Sequence, residues 1–138
     1  MRQAGKLPAK RDIIKRVIEI DEEVYRLNTR ACLSIRKWIE KENLDAFSCN
    51  FLKACPAYGI DSMPFLEACK AMTRGIGYAG EGDALDAVMS GALIRAFENV
   101  SFVEIFCPDW KNDILFLSHM GEMNYKLAAY KPEIRLRG

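Results

Sequence analysis

The chain has 138 residues, 50% of them hydrophobic and 28% charged. That composition excludes a disordered chain and allows one modest core rather than the several domains of a large enzyme. Lys and Arg number 20 against 19 Asp and Glu, for a net charge of +1, so the basic footprint of a nucleic-acid binder is missing. No apolar run approaches the ~20 residues of a membrane span, and the start lacks the apolar core of a secretory signal. The sequence therefore reads as soluble and cytoplasmic, engaging neither nucleic acid nor membrane. Cys32, Cys49, Cys55, Cys69 and Cys107 form no CxxC pair and no even disulfide set, which predicts reduced thiols used as core filler.

Apolar residues at Ile13, Ile14, Val17, Ile18, Val24, Leu27, Ala31, Ile35, Trp38 and Ile39 follow helical spacing. They predict one long helix, or two that break near Asn28 and Thr29. The basic start, from Arg2 to Arg16, is followed closely by Glu19, Asp21, Glu22 and Glu23, the pattern of a solvated helix face. Leu44 to Phe51 predicts a short buried strand after that helix, the αβ half of an α/β unit. Pro56 to Gly59 reads as a loop, and Asp61 to Pro64 supplies an N-cap candidate and an early-helix proline for a helix over Phe65 to Met72.

Gly75 to Gly82 is too rich in glycine for a helix or an ordinary strand and predicts a special turn. Asp83 then caps a helix whose apolar positions, Leu85, Val88, Met89, Ala92, Leu93, Ala96 and Phe97, form its predicted buried face. Ser101 to Cys107 and Asp113 to Ser118 predict two antiparallel strands around a polar turn at Pro108 to Asn112. The fold class is α/β: helices packed on a small sheet, followed by a β-hairpin.

Three residues carry possible chemistry. Glu104 lies between Phe102, Val103, Ile105 and Phe106 in a strand that reads as buried on both faces, where a carboxylate must protonate, pair or bind a metal. A solvent-facing glutamate on an edge strand is the alternative. Glu81 stands between Gly80 and Gly82, where the backbone allows close approach; it also reads as a charged turn residue complementing a helix N-terminus. His119, the only histidine, falls where the last apolar strand ends. Two carboxylates and one imidazole suit Mn2+ or another divalent ion, with Glu122 of His119-Met120-Gly121-Glu122 as a reserve ligand. A rival motif overlaps them: Gly75, Gly77 and Gly80 satisfy GxGxxG, and Glu104 lies near the ~20-residue distance of a ribose-binding acid. A nucleotide site, however, needs a strand before Gly75, and Glu81 and Asp83 would face a pyrophosphate with negative charge.

Gly80-Glu81-Gly82-Asp83 leading into a helix, then Ser101 to Glu104, then Ser118 to Met123, in this order and at these separations, resembles the L-arabinose isomerase and L-fucose isomerase superfamily from about Leu27 to Asn124. The resemblance implies that Glu81 and Glu104 bind a divalent metal, typically manganese, and act as acid and base in aldose–ketose isomerisation through a cis-enediolate. It also implies that His119 is a metal ligand, that the substrate is a small sugar, and that the protein is a homo-oligomer. Family members are several times longer and complete the site with a further histidine, which this sequence does not contain. The chain thus looks like a central fragment: residues 1–99 a partial α/β central domain, and 100–138 the start of a C-terminal domain. Such a fragment is expected to bind metal weakly and to turn over little by itself. A non-catalytic, self-associating fragment is the remaining alternative, with Phe106 or Trp110 exposed.

Overall fold

The computed structural model describes residues 16–17, 21–52, 62–119, 121–130 and 133–134. The predicted loop at Pro56 to Gly59, the cap candidate Asp61, Cys55 and most of the basic N-terminal stretch lie outside them. Strand β1 (Arg16–Val17) pairs in parallel with β6 (Glu133–Ile134).

Helix α1 (Glu22–Glu42) starts at Asp21, whose carboxylate accepts from the backbone N–H groups of Glu23 (2.8 Å) and Val24 (3.4 Å). Glu22 and Glu23 add negative charge at the positive end of the helix dipole, and Asn43 ends the helix in the left-handed region at φ 51°. No break occurs at Asn28 and Thr29. Instead, the Asn28 amide donates to Ser62 Oγ and to the Met63 carbonyl, both at 2.9 Å, so a residue with break-forming character ties α1 to the start of the next helix. That helix, α2 (Phe65–Thr73), has Pro64 at its N-cap position.

Strand β2 (Ala46–Ser48) runs parallel to β3 (Gly77–Ala79), with Phe47 opposite Tyr78. The glycine-rich stretch is therefore not only a turn, since its middle is a fully buried strand. Turn geometry is confined to its ends, at Gly75 (φ 89°), Glu81 (φ 58°) and Gly82 (φ 88°). Helix α3 (Ala84–Phe97) begins at Asp83, whose carboxylate accepts from Asp86 N–H at 2.9 Å.

The predicted inner face of α3 is corrected. Its buried residues are Ala87, Ser90, Gly91 and Ile94, while Leu85, Val88, Met89 and Phe97 are exposed, Leu85 at 84%. Close approach decides the orientation. A face of small side chains lets the α3 backbone meet β3 directly, which the bulkier stripe would prevent. The core joins Ile39, Phe47, Ala68, Ala71, Met72, Tyr78 and Ile94 from α1, β2, α2, β3 and α3, with the Phe47 and Tyr78 ring centroids 5.2 Å apart. Helices thus pack on a small sheet, as the α/β class requires.

Strands β4 (Glu104–Asp109) and β5 (Ile114–Ser118) form the antiparallel hairpin, with Glu104 opposite Ser118. Pro108 belongs to β4, so the turn starts two residues later than its proline suggests. The hairpin is not buried on both faces: Ile105, Phe106, Phe116 and Leu117 are all more than half exposed. Among the described residues no helix is long and apolar enough to cross a membrane.

Candidate functional site

Glu104 opens β4 and His119 follows the last residue of β5, so the Glu104–Ser118 register places them side by side at the base of the hairpin. His119 Nδ1 lies 3.2 Å from Glu104 Oε2. The imidazole and the Phe102 ring make a T-shaped contact, with centroids 5.0 Å apart at 81°, which fixes the plane of the imidazole. Glu104 keeps 40% of its side chain exposed and His119 only 12%. The pair is therefore open on the carboxylate side.

The opposite ring nitrogen, Nε2, lies 3.0 Å from Glu122 Oε2. Glu122 is buried, and its other oxygen accepts the hydroxyl hydrogen of Tyr78 from β3. Burial, with the Glu122 carboxylate alongside, pushes the Tyr78 phenol well above its usual range, so the hydroxyl keeps the proton it donates. Burial, reinforced by the Glu122 charge, likewise raises Cys49 to about 11. Cys69, raised to about 11 mainly by burial, accepts from Met123 N–H at 3.4 Å. One residue further on, Asn124 is completely buried; its amide donates to the Val100 carbonyl and its N–H to Ser101 Oγ, each at 2.9 Å. These bonds clamp the segment after His119 to the strand entry before Glu104, and they keep the two site residues in register.

Glu81 lies apart from this arrangement. It is exposed in its positive-φ turn and makes no hydrogen bond or ion pair among the described residues. The turn itself reaches the site, because a Cβ added at the neighbouring Gly80 would sit 3.7 Å from His119 Cε1. Ser48 Oγ holds the end of β3 there by donating to the carbonyls of Ala79 (2.7 Å) and Gly80 (3.2 Å).

Among the described residues no group of three or more His, Cys, Asp or Glu side chains is placed to hold a metal ion. The local reason is visible: Glu122 takes the ring nitrogen that faces away from Glu104, and Glu81 extends into solvent. Two donors nevertheless fit a divalent ion. An imidazole nitrogen and a carboxylate oxygen are the right types, and 3.2 Å is close to the ~3 Å between neighbouring ligands on an octahedral ion. Sequence reasoning reached Glu104 and His119 and held Glu122 in reserve, but it missed Tyr78. Tyr78 sat inside a stretch read as a turn, and its partner lies 44 residues away.

Together these features define an α/β domain that carries a carboxylate–imidazole cluster at the root of a β-hairpin. Residues 11–100 match the family model of the L-arabinose isomerase central domain. That is well over half of the sequence, and the chain belongs to the L-arabinose isomerase family. It is 29% identical over 124 residues to the L-arabinose isomerase of Leuconostoc mesenteroides, covering 84% of this chain and 26% of that protein. To the L-arabinose isomerase of Oceanobacillus iheyensis it is 30% identical over 117 residues (82% and 24%), and to that of Halalkalibacterium halodurans 26% identical over 145 (91% and 29%). The chain thus spans about a quarter of the length of the curated relatives it matches. These relatives are arabinose isomerases; the L-fucose half of the sequence resemblance gains no support from them.

Proposed function

We propose that this chain carries part of the active site of a metal-dependent aldose–ketose isomerase acting on L-arabinose or a closely similar sugar, with Glu104 and His119 as ligands of Mn2+ or another divalent ion. The observation that carries the reading is the 3.2 Å contact between Glu104 and His119, two donors from the two ends of the hairpin converging at the position where the family likeness expects ligands. Isomerisation moves the C2 proton of the open-chain aldose to C1, while the carbonyl oxygen O1 gains a proton and the O2 hydroxyl gives one up to become the ketone. A bound divalent ion would supply Lewis-acid stabilisation of the cis-enediolate. Glu104 and Glu81 are the carboxylates that divide the acid and base roles, Glu104 from the hairpin root and Glu81 from the turn that approaches His119.

The test follows exchange of the C2 hydrogen of L-arabinose in deuterated water with the 138-residue chain and Mn2+. The expected result is slow, Mn2+-dependent exchange that drops to the metal-free background in Glu104→Gln and in Glu81→Gln, as for loss of a general acid or base. Exchange unchanged by either substitution, or none with Mn2+ bound, contradicts the reading.

The nucleotide-binding alternative gains nothing from the fold, because helix α2 rather than a strand leads into Gly75. Self-association is favoured by one observation: Trp110, at 83% exposed, and Phe106 share the hairpin surface, while Leu85, Val88 and Phe97 are exposed on α3. Homo-oligomerisation is therefore read as accompanying the isomerase function. Sedimentation that depends on chain concentration supports it, and a strict monomer contradicts it.

A further inference from the structure

We infer that Glu122 is the positioning residue of His119 rather than a metal ligand, and that Tyr78 holds Glu122 in place, so that the imidazole keeps its proton on Nε2 and turns the Nδ1 lone pair toward Glu104. The inference rests on the proposed metal reading for its purpose, but its geometry is independent of any ion. Both Glu122 oxygens are engaged, Oε1 by the Tyr78 hydroxyl and Oε2 by His119 Nε2 at 3.0 Å, and only 5% of the side chain is exposed. A buried carboxylate with each oxygen already accepting one hydrogen bond is a fixed acceptor, shielded from an entering cation.

A neutral imidazole has one N–H and one lone pair. Of its two carboxylate contacts, the one to Glu122 is shorter and far better shielded from water: Nε2 to Oε2 is 3.0 Å with Glu122 5% exposed, against 3.2 Å with Glu104 40% exposed. The N–H belongs at the shielded contact, where an unpaired acceptor would cost most. The Nδ1 lone pair then faces the Glu104 oxygen, an acceptor against an acceptor, which a cation between them would reconcile. A carboxylate that orients an imidazole through its remote nitrogen is a familiar support for metal-binding histidines. Tyr78 adds a second tier, fixing Glu122 from within the core strand β3.

Because His119 is the only histidine, its ring nitrogens can be read directly in long-range 15N–1H spectra of the metal-free chain at about pH 8, above the ordinary imidazole range. The expected spectrum places the proton on Nε2. A proton on Nδ1, alone or together with one on Nε2, overturns the inference without any variant. Glu122→Gln should shift the ring toward the Nδ1–H tautomer, because the Gln carbonyl stays with Tyr78 and presents its NH2 to Nε2. Tyr78→Phe, which keeps the ring in the core, should produce a smaller shift in the same direction. Ring signals identical to wild type in both variants overturn the inference. Added Mn2+ separates the two claims. Broadening of the His119 signals, with affinity about 10- to 100-fold weaker in Glu122→Gln, supports both; no Mn2+ effect on a ring already in the Nε2–H form overturns the metal reading and leaves the positioning role supported.

Discussion

Gly77 on β3 lies directly against Gly91 on α3. A Cβ at Gly77 would fall 2.1 Å from the Ala87 carbonyl oxygen and 2.4 Å from Gly91 N, and a Cβ at Gly91 would meet the Asp45 oxygen at 3.1 Å. Gly77→Ala must therefore push the helix off the strand and is expected to destabilise the fold by about 3 kcal/mol or more, at the upper end of overpacking costs. Gly91→Ala gains about 1 kcal/mol of helix propensity against a milder clash and should cost clearly less. Urea unfolding of the two variants measures the difference; equal, small effects would contradict the close contact.

Arg74, just past α2, pairs with Glu67, whose side chain is 3% exposed against 34% for the arginine. Arg74→Met leaves a buried carboxylate without its cation and should cost about 3 kcal/mol, the low end for a broken buried pair because the arginine is partly in water. Replacing both, Glu67→Met with Arg74→Met, should recover most of that loss, since an apolar pair carries no desolvation penalty. Thermal or urea unfolding of the single and double variants tests this, and an equally unstable double variant would contradict it.

Cys49 and Cys69 have their thiols raised by burial from 9.0 to about 11. In the unfolded chain they ionise first, so the unfolded state binds fewer protons above pH 9.0 and the stability they support is complete below that pH. It is lost as pH rises from 9.0 to about 11. Unfolding followed across that window should show stability falling, and Cys49→Ala with Cys69→Ala should flatten the fall. In thiol-labelling kinetics near neutral pH, exposed Cys107 should react before Cys49 and Cys69; faster labelling of either buried thiol would contradict their placement.

Legibility in the sequence followed the range of the forces involved. Asp21 and Asp83 cap their helices through groups two or three residues away. Of these, Asp83 was readable as a cap from local residues, as were the two strands flanking the polar turn. The inward face of α3 is not legible locally, because periodicity locates an apolar stripe but not which stripe faces inward; Gly77, on a distant segment, selects the side with Gly91. The Gly75 to Gly82 stretch concealed a strand for the same reason, since its pairing with β2 reaches back to Ala46–Ser48. Glu104 stands out in the sequence as a carboxylate in an apolar strand, whereas β4 is largely exposed and the residue meets His119 through hairpin register. Tyr78 carried no local sign of its bond to Glu122.

Glu104 Oε2 and His119 Nδ1 must face one shared cation position for the proposed site to work, and anomalous diffraction from crystals of the chain soaked in Mn2+ tests that most directly. The predicted result is a manganese peak within ligand distance of both atoms, with Glu122 still bound to Nε2. A peak on the Nε2 and Glu122 side of the ring, or manganese bound elsewhere with this pair unchanged, would contradict it.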